Sequence, residues 1–347
     1  MTSTVSPVPS LEAKLAWLSR ADAYPEPTVA VERIDTHLSH VFLTDAFVYK
    51  MKKPVCRSFV DLSTLHARRV NCVEEVRLNR RLAPAVYLGA VPLVRAADGR
   101  LQLHADDAGT GEVVEWLVKM RRLERTLMLD VAIRAGTVDR ARLEEAAEVL
   151  ARFYRDAQRV NTSARAWRAH QRRLLLENRR DLAEPRYGLD RATLERVVAA
   201  QLDFLGRQAA LLDARAECGR IVEGHGDLRP EHVCLSRPPV FIDCLEFDRS
   251  LRTVDPADEL GYLALECELL GAPWIGEVFV RGYRRLTGDD PPEALLRFHR
   301  VQRALLRAKL AAWHLDDPLS GAQRRRWRAS AGRYLGLALR TVGAAPP

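Results

Sequence analysis

The chain of 347 residues is long enough for two compact lobes, and its 47% hydrophobic and 29% charged residues indicate a folded rather than a disordered protein. The formal net charge of +8 is spread along the chain without interleaved aromatic residues, which argues against a nucleic-acid-binding surface. The six cysteines are scattered singly, so neither a zinc site nor a disulfide framework is expected. They indicate reduced thiols in a cytoplasmic protein.

Charged residues interrupt the segments that could otherwise enter a membrane. Glu12 and Lys14 lie within the first apolar stretch, where a signal peptide would be uncharged. Glu266 and Glu268 break the longest apolar region, and such charges are costly at the centre of a bilayer. We therefore expect a soluble, cytoplasmic protein with no membrane partner.

The first third of the chain has the pattern of a β-rich lobe. Residues 39–44 and 47–52 predict two strands joined by a tight turn. Side chains alternate along a strand, so Lys50 and Lys52 are expected on the same face of the second strand. The sequence therefore predicts a β-hairpin that ends in lysines.

The rest of the pattern changes from strands to helices. A helix is predicted over 65–82, followed by strands at 85–94 and 112–120. Beyond these strands the apolar spacing is largely helical, most clearly over 140–158 and 295–315. The sequence thus predicts a β-rich part followed by a helical part.

Two short motifs carry a family resemblance. His225-Gly-Asp227 resembles the catalytic loop of aminoglycoside phosphotransferases and related small-molecule kinases, and Phe241-Ile-Asp243 resembles their metal-binding aspartate. Tyr49-Lys-Met-Lys-Lys-Pro-Val55 is similar to an uncharacterised bacterial branch of that superfamily. The resemblance implies an α+β, bilobal protein-kinase-like fold, with a small β-rich N-lobe at residues 25–118 and a larger, mainly helical C-lobe at residues 119–347.

The resemblance also implies a reaction, the transfer of the γ-phosphate of ATP to a hydroxyl of a small-molecule acceptor. Such a transfer needs an acceptor held in line and phosphate charge neutralised by magnesium and lysine. One carboxylate can accept the hydroxyl proton while a second holds the metal, so Asp227 is the candidate catalytic base and Asp243 the candidate magnesium ligand. Each motif alone is equally compatible with an ordinary turn or cap.

The lysines of the hairpin are candidates for binding the nucleotide phosphates. Phe47-Val-Tyr-Lys50 resembles the strand whose lysine does so in kinase-like folds, and Lys52 competes for the role because it shares the face of Lys50. The alternative is that both are solvated lysines on an edge strand. Glu75, on the following helix, resembles the glutamate that pairs with that lysine, with Glu74 as its alternative.

His232 departs from the family pattern. It stands where such enzymes usually carry an asparagine as second metal ligand, and imidazole suits manganese better than magnesium. His232 is therefore either a metal ligand or a residue that hydrogen-bonds the loop, with Glu231, Glu246 or Asp248 as alternative oxygen ligands. The departure also supports a rival interpretation, a pseudokinase that acts as a nucleotide-binding or scaffold protein.

Two further aspartates are given structural roles, and one segment resembles a hinge. Asp258 is expected to accept backbone hydrogen bonds from the catalytic loop, and Asp255 to cap the helix that follows it. Glu115-Trp-Leu-Val118 resembles the hinge between lobes, where backbone groups would meet adenine.

Overall fold

Strands dominate the first part of the chain and helices the second in the computed structural model, which describes residues 9–57, 60–104 and 111–343. The strands are β1 (Glu32–Asp35), β2 (Ser39–Leu43), β3 (Phe47–Lys52), β4 (Cys56–Arg57), β5 (Val60–Asp61), β6 (Tyr87–Arg95), β7 (Leu101–Leu103), β8 (Glu112–Arg121), β9 (Val222–Glu223), β10 (Val233–Cys234), β11 (Val240–Phe241) and β12 (Thr253–Val254). The α-helices are α1 (Leu11–Leu18), α2 (Leu65–Asn79), α3 (Leu129–Ala135), α4 (Arg140–Asp156), α5 (Ala164–Leu182), α6 (Arg191–Arg207), α7 (Ala209–Glu217), α8 (Pro256–Leu269), α9 (Pro273–Thr287), α10 (Glu293–Trp313) and α11 (Gly321–Gly343).

These elements form two compact units. Of the described residues, those up to 127 and those at 240–249 belong to the first unit, and those at 128–239 and from 250 onward belong to the second. The chain therefore enters the first unit twice. A strand-rich part and a larger helical part confirm the predicted α+β fold class.

An antiparallel sheet is the framework of the first unit, with the strand order β1-β2-β3-β8-β6-β7. The hairpin predicted over 39–52 is confirmed as β2 and β3. Tyr49 and Met51 are buried in the apolar core of this unit. Because side chains alternate along a strand, Lys50 and Lys52 project from the other face of the sheet.

Helix α2 supplies polar groups to the first unit. Its first turn is capped by Thr64, whose hydroxyl accepts a hydrogen bond from the backbone N–H of Ala67 at 3.1 Å. The helix ends at Asn79, earlier than the predicted Leu82, and the side chain of Asn79 turns back to donate to the carbonyl of Glu75 at 2.9 Å. Glu75 and Asn79 are both fully buried, so this end of the helix presents polar groups inside the unit.

The second unit is helical except for short strands. The predicted helices 140–158 and 295–315 are found as α4 and α10. The side chain of Asp139 caps α4 by accepting hydrogen bonds from two backbone N–H groups of the first turn. Leu143 of α4 and Leu305 of α10 are fully buried, as their helical spacing predicts. Within the described ranges, no helix combines the length and apolar character needed to cross a membrane.

A small strand pair interrupts the helices of the second unit and leads into its polar loop. Strands β9 and β12 pair antiparallel, with Val222 opposite Val254. Helix α8 begins directly after β12, and Asp255 caps it by accepting from the backbone N–H of Ala257 at 2.9 Å. The predicted cap is therefore confirmed. The pair fixes both the start of residues 224–232 and the start of α8.

A buried histidine on α10 makes the stability of the second unit sensitive to acid. His299 is 0% exposed, and among the described groups its ring nitrogens have no hydrogen-bond partner. Burial lowers its pKa, although Asp258, whose Oδ1 is 3.8 Å from Nδ1, opposes this shift. The pKa of an unperturbed histidine in the unfolded chain is about 6.5. Folding therefore favours the neutral imidazole, and the free energy of unfolding should fall as the pH decreases below that value.

We expect His299→Leu to reduce this loss of stability in acid. Thermal unfolding of wild type and variant between about pH 5 and pH 8, the range in which histidine titrates, measures the effect. The exposed residue His66 provides the matched control, His66→Gln, which should keep the wild-type pH profile. Identical profiles for wild type and His299→Leu would contradict the prediction.

Candidate active site

Five charged side chains of the first unit form a group that we call the lysine cluster: Lys50, Lys52, Glu75, Asp243 and Glu246. The Nζ atom of Lys50 lies 2.9 Å from Glu75 Oε1 and 2.7 Å from Asp243 Oδ1. The Nζ atom of Lys52 contacts Glu75 Oε2 and Glu246 Oε1. The structure thus brings together four residues that the sequence predicted for nucleotide and metal binding.

The cluster also distinguishes the alternatives that the sequence left open. Glu74 is not part of it, because its carboxylate pairs with Arg77, 2.7 Å away, on the same helix. The solvated-edge interpretation of the lysines is wrong, since β3 lies between β2 and β8 inside the sheet. The side chain of Lys50 is 15% exposed and that of Lys52 only 1%. Lys50 is therefore the more accessible of the two lysines.

The electrostatics of the cluster keep Lys50 charged. Burial opposes its charge, but the carboxylates of Asp243 and Glu75 more than offset this, so the pKa of Lys50 lies well above its ordinary value. Burial also disfavours the ionised form of Glu75, yet Lys50 and Lys52 outweigh it and lower the pKa of Glu75. The pKa of Glu246 is raised by burial, which Lys52 only partly offsets. The cluster therefore holds the charged amine of Lys50 between the carboxylates of Glu75 and Asp243.

Asp243 has an unusual backbone conformation. Its φ of 62° lies in the left-handed region, which residues other than glycine rarely adopt and which is often found at functional sites. Its N–H donates to the hydroxyl of Tyr87 at 3.0 Å, and the N–H of Cys244 donates to Asn79 Oδ1 at 2.8 Å. These bonds fix a backbone turn that leaves the side chain of Asp243 44% exposed.

A fixed, exposed carboxylate suits a magnesium ion. Magnesium takes oxygen ligands and is commonly bound through one or two carboxylates together with substrate phosphates. Asp243 therefore fits the metal that its position predicts. Glu246, one of the alternative oxygen ligands, fits less well because its side chain is 7% exposed and is paired with Lys52.

Asp227 lies in the second unit, in a loop of residues 224–232 that we call the Asp227 loop. Its Oδ1 accepts a hydrogen bond from the hydroxyl of Tyr262 at 3.2 Å. Its Oδ2 accepts from Nε and Nη2 of Arg229 at 3.1 and 3.0 Å. The side chain remains 29% exposed. These donors fix the orientation of the carboxylate.

Sequence reasoning did not assign a role to Arg229 or Tyr262. A signal was available for Arg229, which lies within the motif itself, two positions after the aspartate on the same short loop. Tyr262 is distant in sequence, and only the packing of α8 brings it to Asp227. The guanidinium of Arg303 lies over its ring, 4.9 Å from the centroid.

The backbone of the Asp227 loop is held by a carboxylate of α8. Glu259, fully buried, accepts hydrogen bonds from the N–H groups of His225, at 3.0 Å, and Gly226, and from the hydroxyl of Tyr154 at 2.8 Å. Gly226 has a φ of 91°, in the left-handed region that favours glycine. The loop is therefore anchored immediately before Asp227.

The role predicted for Asp258 was wrong, because Glu259 performs it. Asp258 instead forms a bidentate ion pair with Arg303, with N–O distances of 2.7 and 2.8 Å. Neighbouring residues of a helix point in different directions, so only Glu259 faces the loop amides. Arg303 contributes indirectly, since its Nη1 donates to the carbonyl of Gly226 at 3.3 Å.

We expect Glu259→Gln to destabilise the second unit. A glutamine amide offers one acceptor oxygen and one donor group, so an N–H of His225 or Gly226 would lose its partner inside the protein. Leaving a buried donor unpaired costs about 1–3 kcal/mol. Denaturant unfolding measures the change, with Glu217→Gln on the exposed surface as the matched control. An unfolding free energy equal to that of the control would contradict this account of the loop.

His232 is bonded within the Asp227 loop. Its Nδ1 lies 2.7 Å from the carbonyl oxygen of Asp227 and must donate, which makes Nε2 the acceptor in the neutral ring. That Nε2 lies 3.4 Å from Nη2 of Arg229. The geometry favours the alternative in which His232 hydrogen-bonds the loop, and its role as a metal ligand stays a prediction.

Comparison with known sequences identifies relatives that are themselves uncharacterised. No protein-family model matches the chain. Uncharacterised proteins of Mycobacterium tuberculosis and Mycobacterium bovis are 34% identical to it over 306 residues, an alignment that covers 83% of this chain and 56% of theirs. The chain thus spans about half the length of the curated relatives it matches.

Solved structures identify the class of fold, which is that of small-molecule kinases. A choline/ethanolamine kinase family protein from Mesorhizobium loti aligns with a TM-score of 0.52 at 16% identity, over 96% of this chain and 99% of its own. An aminoglycoside phosphotransferase crystallised with AMP-PNP and hygromycin B aligns with a TM-score of 0.50 at 13% identity, over 92% and 96%. The chain therefore has the fold of the aminoglycoside phosphotransferases, and the resemblance seen in the sequence is confirmed at the level of the fold.

Proposed function

We propose that the chain is a phosphotransferase that moves the γ-phosphate of ATP to a hydroxyl of a small-molecule acceptor. The observation that carries the proposal is the contact of one charged lysine, Lys50, with both Glu75 and Asp243. A lysine held by a helix glutamate, beside a carboxylate suited to magnesium, is the arrangement that phosphoryl transfer in kinase-like folds requires.

Each residue of the lysine cluster has a place in this proposal. Lys50 would bind the nucleotide phosphates, and Glu75 would orient it. Asp243 would hold magnesium, which when bound neutralises phosphate charge. Both Glu75 and Asp243 are within 3 Å of the lysine amine, at 2.9 and 2.7 Å, so a phosphate that approaches Lys50 also approaches the metal ligand.

Asp227 would orient the acceptor hydroxyl and accept its proton. Its carboxylate is 29% exposed while Tyr262 and Arg229 fix both oxygens. Both oxygens accept hydrogen bonds from fixed donors, so the carboxylate is suited to position the acceptor hydroxyl, and positioning should contribute more than proton abstraction. Phosphoryl transfer tolerates a weak base because little bond formation to the nucleophile is needed in a loose transition state.

The structural neighbours support the two ligand classes in the proposal. One neighbour was crystallised with AMP-PNP, an ATP analogue, and with hygromycin B, a hydroxylated small molecule. Another belongs to the choline/ethanolamine kinase family. These neighbours share the fold and differ in acceptor, so the proposal extends to a small-molecule acceptor as a class and to no named one.

A pseudokinase is the second candidate, and the environment of Asp227 is the observation that favours it. Arg229 contacts Asp227 Oδ2 through two nitrogens, and His232 occupies the position of the usual second metal ligand with its Nδ1 bonded to the loop. A protein of this kind would bind nucleotide without turnover. Retention of Lys50, Asp227 and Asp243 supports the enzyme instead.

Nucleotide binding and turnover together test the proposal. Calorimetry with AMP-PNP, in magnesium and then manganese, should give metal-dependent binding, and ATP consumption should rise with the right member of a panel of hydroxylated acceptors. Asp243→Asn should lose the metal-dependent part of AMP-PNP binding. Asp248→Asn, which changes an alternative oxygen ligand, should keep it. Binding without turnover across the panel would favour the pseudokinase, and absence of binding would refute both.

A further inference from the structure

Lys52 and Glu246 form a second ion pair of the lysine cluster that the proposed function leaves unused. The Nζ atom of Lys52 contacts both Glu246 Oε1 and Glu75 Oε2. The side chain of Lys52 is 1% exposed and that of Glu246 is 7% exposed. A lysine enclosed in this way has no access to a phosphate, although the sequence made it a competitor of Lys50.

Charge balance explains why both residues are needed. Glu75 is shared between the two lysines, through Oε1 to Lys50 and Oε2 to Lys52. Without Lys52, the buried carboxylate of Glu246 would lose the cation that it contacts, and weakening the pairing of a buried charge is unfavourable. Without Glu246, Lys52 would draw on Glu75 alone and compete with Lys50 for it. The second pair therefore keeps Glu75 available to Lys50.

The same pair ties down the segment that carries Asp243. Within residues 240–249, the N–H of Asp243 is bonded to Tyr87 of β6 and the N–H of Cys244 to Asn79 of α2. Glu246 adds an ionic attachment to Lys52 of β3. Three elements of the first unit thus hold one short segment, and the attachment of Glu246 is an ion pair in a buried setting, where charge-assisted bonds are strong.

We infer that Lys52 and Glu246 are positioning residues, which hold the left-handed turn at Asp243 in the geometry that a metal ion needs. The inference rests on the proposed function, because it gives Asp243 a metal to bind. Groups that orient a metal ligand without touching the metal commonly change metal affinity or activity by about 10–100-fold when replaced. Lys52 and Glu246 act in this way through the backbone of residues 243–246 and through Glu75.

Two measurements on the full chain test this inference. The first is amide hydrogen exchange of peptides that cover 240–249, without nucleotide, and the second is titration with Mn²⁺ in the presence of AMP-PNP. The variants are Lys52→Met and Glu246→Gln, the second of which keeps an acceptor for Lys52 and is the one least prone to misfold. Lys53→Met is the matched control, since Lys53 contacts the backbone carbonyl of Thr36 instead of the cluster.

We expect both variants, and not the control, to exchange faster within 240–249 and to bind Mn²⁺ about 10–100-fold more weakly. A purely structural role would lower the melting temperature but leave Mn²⁺ affinity and the relative exchange of this segment unchanged, and that result would overturn the inference. If the wild type binds neither Mn²⁺ nor AMP-PNP, the proposed function fails and the positioning role fails with it. If the wild type binds Mn²⁺ and AMP-PNP and the two variants behave like the wild type, the positioning role fails while the proposed function stands.

Discussion

Replacing Asp227 with asparagine is expected to lower kcat by about 10²–10⁴-fold, the usual contribution of a positioned acid or base. Asparagine keeps the size of the side chain and can still accept a hydrogen bond from Tyr262, whose hydroxyl lies 3.2 Å from Oδ1. The substitution removes the negative charge that pairs with Arg229 and that would contact the acceptor hydroxyl. The KM for ATP should change much less, because the nucleotide is assigned to the lysine cluster.

Steady-state kinetics and calorimetry with AMP-PNP separate these effects. Glu231→Gln is the matched comparison, because Glu231 also contacts Arg229. If the loss at Asp227 came only from a displaced Arg229, Glu231→Gln would reproduce it. If Asp227→Asn keeps the wild-type kcat, Asp227 has no role in the reaction.

Replacing Lys50 with methionine is expected to lower kcat/KM by about 10²–10³-fold, the scale seen when one preorganised electrostatic donor is removed from a transition state. Methionine has a similar length but no charge, so the nucleotide phosphates would lose their cation. The fold should survive, because Glu75 keeps its contact with Lys52. Unfolding measured beside the kinetics distinguishes a catalytic loss from a loss of folded protein.

Lys53→Met again serves as the control, since Lys53 is adjacent in sequence but contacts the carbonyl of Thr36. It should retain AMP-PNP affinity and kcat. Equal losses in Lys50→Met and Lys53→Met would point to a general effect of positive charge on the hairpin, and the assignment of Lys50 to the phosphates would then be wrong.

The parts of the site that lie in local motifs could be predicted from the sequence. Strand alternation placed Lys50 and Lys52 on one face, and the family resemblance offered Glu75 as a partner, with Glu74 as its alternative. The choice within each pair depended on burial and on contacts from other elements. Lys52 is enclosed by Glu246, and Glu74 is drawn to Arg77, and neither contact follows from spacing.

The missed contacts around the Asp227 loop have the same physical origin. Asp258 and Glu259 are adjacent, so their roles depend on the rotation of α8, which packing against its neighbours determines. Tyr262 reaches Asp227 for the same reason. Periodicity identifies an element and its buried face. Which single side chain reaches a given loop can be seen only once the position and rotation of the helix are known.

The return of residues 240–249 to the first unit has a consequence for synthesis of the chain. Glu246 follows Lys52 by 194 positions, and residues 128–239 of the second unit leave the ribosome between them. Nascent chains tend to fold in order from the N-terminus. Lys52 of the hairpin therefore lacks one of its two carboxylates until residues 128–239 of the second unit have been translated. A fragment that stops at residue 127 should therefore remain sensitive to protease, and the first unit should become resistant only when the nascent chain extends past residue 249.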